Sequence, residues 1–125
     1  MYLIFDTSIL IDIERENKQT LAKVAELRTR YPIPPKIAFI SYYEFIHGIR
    51  KRNPQNKAKA EDFIRLFEIV NTTEETAKRL SQLKEKHELA LADLLIAAQV
   101  WEKQAILVTK DTDFKQINEI DKIIL

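Results

Sequence analysis

Four carboxylates are the residues in this chain best suited to chemistry. They are Asp6, Glu44, Asp93 and Asp111, and each lies at or near the junction of an apolar stretch and a turn or helix. Carboxylates held close together repel one another, and without a cation some of them stay protonated. Mg²⁺ or Mn²⁺ removes that cost, because hard cations prefer oxygen ligands. Such a site can polarise a phosphodiester and lower the pKa of an attacking water.

Asp93 carries the strongest signal of the four. It is the only charged residue between Glu88 and Glu102, inside the apolar stretch LALADLLIAAQVW. An unpaired carboxylate in an apolar helix is expensive to bury. A structural explanation is therefore harder to find for Asp93 than for the other acids.

Several of the acids also have a purely structural interpretation. Ser41 and Glu44 fit the S-x-x-E capping box, in which the glutamate only bonds back to the backbone. Thr72 to Glu75 fits such a box as well, and there we prefer the structural interpretation. Asp111 or Asp113 is suited to capping a last short helix. Asp12 is interpreted as solvent-facing or structural.

The elements that must position these acids alternate between strands and helices, which predicts an α/β fold with right-handed crossovers. The carboxyl ends of parallel strands share one edge of the sheet, where ligand sites form. Asp6 and Asp111 should therefore meet at that edge. The predicted strands are 2–5, 37–40, the end of 67–70, 105–109 and 123–125. The predicted helices contain Ile9–Ile13 and Leu21–Leu27, run over 41–52 and 58–67, begin at Thr72, and run over 89–102 and 115–119.

Composition limits the remaining possibilities. The 125 residues, 46% of them hydrophobic and 31% charged, predict a single domain over 1–125. The absence of Cys excludes a disulfide framework, a thiolate metal site and cysteine catalysis. No signal peptide and no apolar run near ~18 residues is present, so we expect a cytoplasmic chain without a membrane partner. A net charge of +1 argues neither for nor against nucleic acid.

Four segments together resemble the PIN domain, and most closely the toxin ribonuclease of VapBC-type toxin–antitoxin pairs. These segments are DTSILID at 6–12, SYYEFIHGIRK at 41–51, LADLLIAA at 91–98 and LVTKDTDF at 107–114. The resemblance covers nearly the whole chain. It implies a PIN-like three-layer α/β/α fold with a central parallel sheet, and an endoribonuclease that depends on Mg²⁺ or Mn²⁺.

The resemblance also implies a role for each acid. Asp6, Asp93 and Asp111 are expected to bind the metal, and Glu44 and Asp111 to position or activate the water. The last acidic motif is one residue shorter than usual, so Asp113 competes with Asp111 for the fourth place. The residues matching hydroxyls that orient the acids are Thr7, Ser8 and Thr109, and Gly48, the only glycine, matches the glycine of an E-x-x-x-G pattern.

A basic segment follows the second motif. Arg50, Lys51 and Arg52, with Lys57 and Lys59 beyond them, could hold an RNA backbone without reading its sequence. The alternative is a solvated helix end, where basic residues suit the helix dipole.

The resemblance implies three partners: an RNA substrate, a second copy of the chain, and an antitoxin whose C-terminal segment blocks the pocket. The predicted helix at 41–52 carries more apolar residues than one core-facing stripe requires, and the next helix adds more. A groove between them could accept an amphipathic helix, and an arginine of that helix could pair with the pocket carboxylates. The alternative is that these side chains are core. They are Tyr42, Tyr43, Phe45, Ile46, Phe63, Leu66 and Phe67.

Two other function classes compete with the ribonuclease. A receiver-type signalling domain also holds Mg²⁺ at strand ends, and it needs a lysine after a later strand, for which Lys110 is the candidate. A non-catalytic PIN-like module that binds RNA or protein is the other. The presence of all four acids favours the enzyme over this second alternative.

Overall fold

The computed structural model describes residues 1–125 as a five-stranded parallel sheet between two layers of helices. The strand order is β3-β2-β1-β4-β5, and every neighbouring pair is parallel. This confirms the predicted three-layer α/β/α architecture. The strands are β1 Leu3–Phe5, β2 Lys36–Ala38, β3 Glu68–Val70, β4 Ile106–Thr109 and β5 Asp121–Ile124.

Six α-helices and one short 3-10 helix cover the two faces of the sheet. None of them has both the length and the apolar composition needed to cross a membrane. The helices are α1 Thr7–Glu14, α2 Lys18–Arg30, α3 Phe39–Ile49, α4 Pro54–Ile64, α5 Glu74–Lys86 and α6 Leu91–Lys103, and the 3-10 helix is Thr112–Gln116.

The two central strands, β1 and β4, are almost entirely apolar because both faces of the sheet are buried there. Leu3 and Phe5 of β1 pack into a core shared with α1, α2, α3 and α4. Ile4, between them, points to the other face and packs with α5, α6 and the residues that follow β4. Alternating side chains of one strand therefore serve two cores, as expected for a parallel sheet inside two helical layers.

The boundary between β2 and α3 corrects the sequence prediction. β2 ends at Ala38 and α3 begins at Phe39, so the predicted strand over 37–40 and helix start at Ser41 were wrong. The N–H of Phe39 bonds to a glutamine side chain of α6 instead of a neighbouring strand. Ser41 is fully buried inside the helix, and its hydroxyl has no partner. The capping box predicted for Ser41 and Glu44 does not form.

Three more helix boundaries differ from the prediction, although Asp111, one of the two caps predicted for the last helix, does cap it. Asn53 caps α4 with Pro54 at its first position, so that helix begins before Ala58. The capping box of α5 joins Thr73 to Thr76, one residue later than predicted. The helix predicted at 115–119 is instead the 3-10 helix Thr112–Gln116, capped by Asp111.

The strand order creates a crevice beside β1. From β1 the chain moves outward through β2 and β3, then returns to the other side of β1 for β4 and β5. Open α/β sheets bind ligands where the strand order reverses in this way, at the carboxyl ends of the strands. The register pairs Phe5 with Val108, so Asp6 and Thr109 emerge side by side at that point.

Candidate active site

Asp6 joins the end of β1, the start of α1 and the end of β4. It is the N-cap of α1 and only 5% exposed. Its Oδ1 accepts hydrogen bonds from Ser8 Oγ at 2.6 Å and from the Ile9 amide at 3.3 Å. Its Oδ2 accepts a hydrogen bond from Thr109 Oγ1. These donors fix the orientation of the carboxylate at the crevice.

The loop after β4 is attached to the same residues. Thr109 Oγ1 accepts a hydrogen bond from the Asp111 amide at 2.9 Å, while it donates to Asp6. Ser8 Oγ accepts one from the Lys110 amide at 3.2 Å. Two hydroxyl groups therefore set the position of the loop that carries Asp111.

Three aspartates converge beside this point. Asp93, in the first turn of α6, Asp111 and Asp113 each offer one carboxylate oxygen, and these oxygens lie within 4.8 Å of one another. Asp93 and Asp111 are half-buried, and Asp113 is exposed. An all-oxygen set of this kind fits a hard divalent cation. The structure therefore brings both Asp111 and Asp113 to Asp93, where the sequence left a choice between them.

Asp93 is close enough to the four other acids of the site for their charges to change its pKa. Burial is the largest cause that raises its pKa, and the negative charges of Asp111, Glu44, Asp113 and Asp6 raise it further, in that order. A bound cation would reverse this effect by favouring the charged carboxylates.

Burial also raises the pKa of Asp6, and hydrogen bonds from Ser8, Thr109 and Ile9 only partly oppose the shift. The oxygens of Asp6 lie outside the close group formed by the other three aspartates. Asp6 is linked to the group in two ways. It accepts a hydrogen bond from Thr109, and its negative charge raises the pKa of Asp93.

Glu44 reaches the crevice from α3. Its Oε1 accepts a hydrogen bond from Thr7 Oγ1 at 2.6 Å, which holds the first turn of α1 against α3. Glu44 is exposed, so it can contact a ligand entering from solvent. The predicted pocket residues are thus assembled from four segments of the chain.

Asp12 lies apart from this site and has a structural environment. Its Oδ2 accepts hydrogen bonds from Lys110 Nζ at 2.7 Å and from Thr20 Oγ1 at 2.6 Å. These contacts lower the pKa of Asp12, the lysine contributing most. The structural interpretation of Asp12 is confirmed, and the Lys110 ammonium is directed to it.

The receiver-type alternative is wrong on topology. Flavodoxin-like receivers have the strand order 2-1-3-4-5. This chain has the order 3-2-1-4-5.

Gln99 is a positioning residue that the sequence reading missed. It lies on α6, is fully buried, and donates from Nε2 to the Val70 carbonyl at 2.7 Å. Its Oε1 accepts the Phe39 amide at 3.3 Å. Gln99 thereby joins the helix of Asp93 to the start of the helix of Glu44. The available signal was the one that identified Asp93, a polar residue inside an apolar helix.

The basic segment is divided between different environments. Arg52 Nη1 lies 2.7 Å from Glu14 Oε1 on α1. Arg50 donates from Nη1 to the His47 carbonyl of its own helix at 2.6 Å. Lys51 is exposed and takes part in no ion pair.

The apolar residues of α3 and α4 are divided as well. Phe45 is buried in the core, and the side chains at 42, 46, 63 and 67 pack against that core. Tyr43 is 52% exposed and Leu66 is 80% exposed. The core interpretation is therefore correct for most of them, and two remain free at the surface.

The chain belongs to the PIN-domain family, whose model matches residues 3–120. That match covers every acid of the site. No curated protein sequence matches the chain.

Solved structures share the fold over nearly the whole chain. VapBC2 from Rickettsia felis, bound to a promoter DNA fragment, has 22% identity and a TM-score of 0.83, covering 100% of this chain and 99% of that one. VapBC-1 from nontypeable Haemophilus influenzae has 20% identity and a TM-score of 0.81, covering 99% and 98%. PAE2754 from Pyrobaculum aerophilum has 15% identity and a TM-score of 0.64, covering 98% and 90%.

Proposed function

We propose that this chain is an endoribonuclease dependent on Mg²⁺ or Mn²⁺, and the toxin of a toxin–antitoxin pair. The observation that carries the proposal is the group of oxygens from Asp93, Asp111 and Asp113 within 4.8 Å, at the crevice beside β1. Membership of the PIN family supports it. So does the fold shared with chains of toxin–antitoxin complexes.

Asp93 and Asp111 would hold the ion, with Asp6 adding negative charge behind them and Asp113 joining as a further oxygen ligand. The bound ion supplies a polarised phosphodiester and an attacking water of lowered pKa. The hydroxyls of Ser8 and Thr109 keep Asp6 oriented.

Glu44 and Asp111 are proposed to orient the attacking water and accept its proton at a carboxylate oxygen. Thr7 Oγ1 holds Glu44 Oε1 in place for that task. Arg50, Lys51 and Arg52 are proposed to contact the phosphates of RNA, with affinity that falls as salt rises.

RNA cleavage by the purified chain in Mn²⁺ tests the enzyme proposal. We expect Asp93→Asn and Asp6→Asn to abolish cleavage, and Asp12→Asn, which removes a structural acid, to retain it. Unchanged cleavage in both site variants would place the chemistry elsewhere. Binding of RNA without any cleavage by the wild-type chain would favour the non-catalytic module.

The proposed partners are a cognate antitoxin and a second copy of the chain, in the cytoplasm. Tyr43 and Leu66 offer exposed apolar contacts for a partner. We expect expression of the chain alone to inhibit growth, and co-expression of the antitoxin or the Asp6→Asn substitution to relieve the inhibition. Equal growth of all three strains would contradict the toxin assignment and leave a nuclease of another use.

A further inference from the structure

The only glycine of the chain lies where folding does not require one. Gly48 is inside α3, and its φ is not positive. A Cβ built at this position would meet no atom within 4 Å. Glycine destabilises a helix interior relative to alanine. Neither backbone conformation nor packing within the chain therefore explains why this position is a glycine.

Gly48 lines a cavity that adjoins the acidic site. The cavity, of about 60 Å³, lies between α1 and α3, and Glu44, Arg15 and Arg52 also line it. A side chain at position 48 would project into open space at this wall. Glycine is favoured where a ligand approaches a backbone closely, so the open wall indicates an approach path beside Glu44.

The cavity continues into a second and wider one. Arg15 and Arg52 line both, and the second, of about 450 Å³, adds Glu14, Asn56 and Lys59. We name the two together the α1–α3–α4 groove. It begins at a proposed catalytic carboxylate and leads away from it along one side of the molecule.

Three basic side chains, Arg15, Arg52 and Lys59, line the groove with two acidic ones, so its charged lining is basic by one. Glu14 is its one acid beyond Glu44, and it pairs with Arg52 at 2.7 Å. This ion pair joins α1 to the residue that follows the end of α3 at the groove. Arg15 and Lys59 are exposed and take part in no ion pair. Their charges are available to an anion.

We propose that the α1–α3–α4 groove binds the phosphodiester backbone of a single RNA strand next to the bond that is cleaved. Arg15, Arg52 and Lys59 contact phosphates, and Gly48 leaves room for the strand beside Glu44. The proposal rests on the proposed ribonuclease function. It adds Arg15 from α1 as a binding residue, and it places Arg15 with Arg52 and Lys59 of the basic segment in the groove that begins at Glu44.

Binding of a fluorescein-labelled oligouridylate to the full chain, in EDTA over a series of salt concentrations, tests the groove separately from catalysis. We expect Arg15→Ala and Lys59→Ala each to weaken binding several-fold and to lower the salt slope by about 0.7, the contribution of one phosphate contact on a single strand. Lys84→Ala, an exposed lysine on α5 in the opposite helical layer, is the matched control and should bind as wild type.

Gly48→Ala gives the sharper test, because its two effects have opposite signs. We expect a higher melting temperature, since alanine favours the helix and meets no atom, together with weaker RNA binding. Gly48→Leu should weaken binding further. A loss of binding accompanied by greater stability cannot come from damage to the fold.

Wild-type-like RNA binding in the Arg15, Lys59 and Gly48 variants would overturn the groove, as would no binding by the wild-type chain at low salt. Variants that bind RNA normally but lose the antitoxin would assign the groove to a protein partner and also overturn it. Weakened binding in a chain that never cleaves RNA in Mn²⁺ would support the groove while refuting the nuclease.

Discussion

The carboxylates of this molecule occupy two opposite electrostatic situations. Asp93 faces other acids, and burial together with their charges raises its pKa. Asp12 faces an ammonium group and a threonine hydroxyl, which lower its pKa. Lys110 and Asp111 connect the two environments. The Lys110 ammonium binds Asp12, and a carboxylate oxygen of the next residue, Asp111, lies close to one of Asp93.

A structural acid and a candidate functional acid therefore differ in whether the chain itself satisfies the negative charge. Asp12 stabilises the fold at neutral pH because its charge is satisfied by the chain itself. Ionisation of Asp93 costs free energy, because the side chain is partly buried beside other acids and no cationic group of the chain lowers its pKa. An acid held in such a place is a candidate for a site that takes a ligand.

The largest loss of RNA cleavage among these predictions is expected at Asp111, and it separates Asp111 from its neighbour Asp113. Asp111 is half-buried and caps the 3-10 helix, whereas Asp113 is exposed. We expect Asp111→Asn to reduce RNA cleavage by about 100-fold or more, as the loss of a group acting on the transition-state charge does. Asp113→Asn should cost about tenfold, because Asp113 is the exposed one of the proposed oxygen ligands and a water can take its place on the ion. If Asp113→Asn lowers the single-turnover cleavage rate more than Asp111→Asn does, Asp113 takes the role proposed for Asp111.

Removing the Gln99 amide should damage stability more than any change at the acids. Gln99→Leu removes the hydrogen-bond partner of the buried Val70 carbonyl and of the partly buried Phe39 amide. Each orphaned group costs about 1–3 kcal/mol, so we expect the free energy of unfolding to fall by about 2–4 kcal/mol. Urea denaturation measures this, with Gln82→Leu at an exposed position of α5 as the control. A loss below about 1 kcal/mol would show that water or movement replaces both bonds.

Asparagine substitutions at the two contrasted acids should change metal-free stability in opposite directions. Asp12→Asn loses an ion pair with Lys110 and should destabilise the chain by about 0.5–1 kcal/mol. Asp93→Asn relieves desolvation and repulsion, so its melting temperature in EDTA should rise. Shifts of the same sign in both variants would remove the contrast.

The pH dependence of these shifts follows from the direction of each pKa change. Asp93 has a raised folded-state pKa, so its cost is present above that value, shrinks as pH falls below it, and is gone below the ordinary value of 3.8. Asp12 has a lowered pKa, so its contribution is present above its ordinary value of 3.8 and is lost as pH falls through the folded-state value. At mildly acidic pH the Asp93→Asn advantage should therefore shrink while the Asp12→Asn deficit persists. Melting curves at neutral and mildly acidic pH measure both.

Much of the fold could be read from residue pattern alone. Two short apolar runs predict the central parallel strands β1 and β4. A single charged residue inside an apolar helix identifies Asp93. The errors at Phe39 and Pro54 have a common origin. Each depends on which side chain satisfies a helix-terminal amide, and for Phe39 that side chain, Gln99, is 60 residues away.

The site was only partly predictable for a related reason. The topology brings together the ends of strands, but the side chains that meet there depend on loop geometry. Asp113 joins Asp93 because the 3-10 helix begins directly after Asp111. Arg15 reaches the groove because α1 and α4 pack against α3, which no local pattern around Arg15 indicates.

Mn²⁺ binding to the purified chain, measured by calorimetry with the melting temperature as a second readout, tests most directly that these acids share one divalent ion. The wild-type chain and Asp12→Asn should bind Mn²⁺ and melt at higher temperature as its concentration rises, because the ion binds only the folded arrangement. Asp93→Asn should lose most of the binding heat and of the temperature shift. Equal Mn²⁺ binding by the wild-type chain and Asp93→Asn would contradict the metal site.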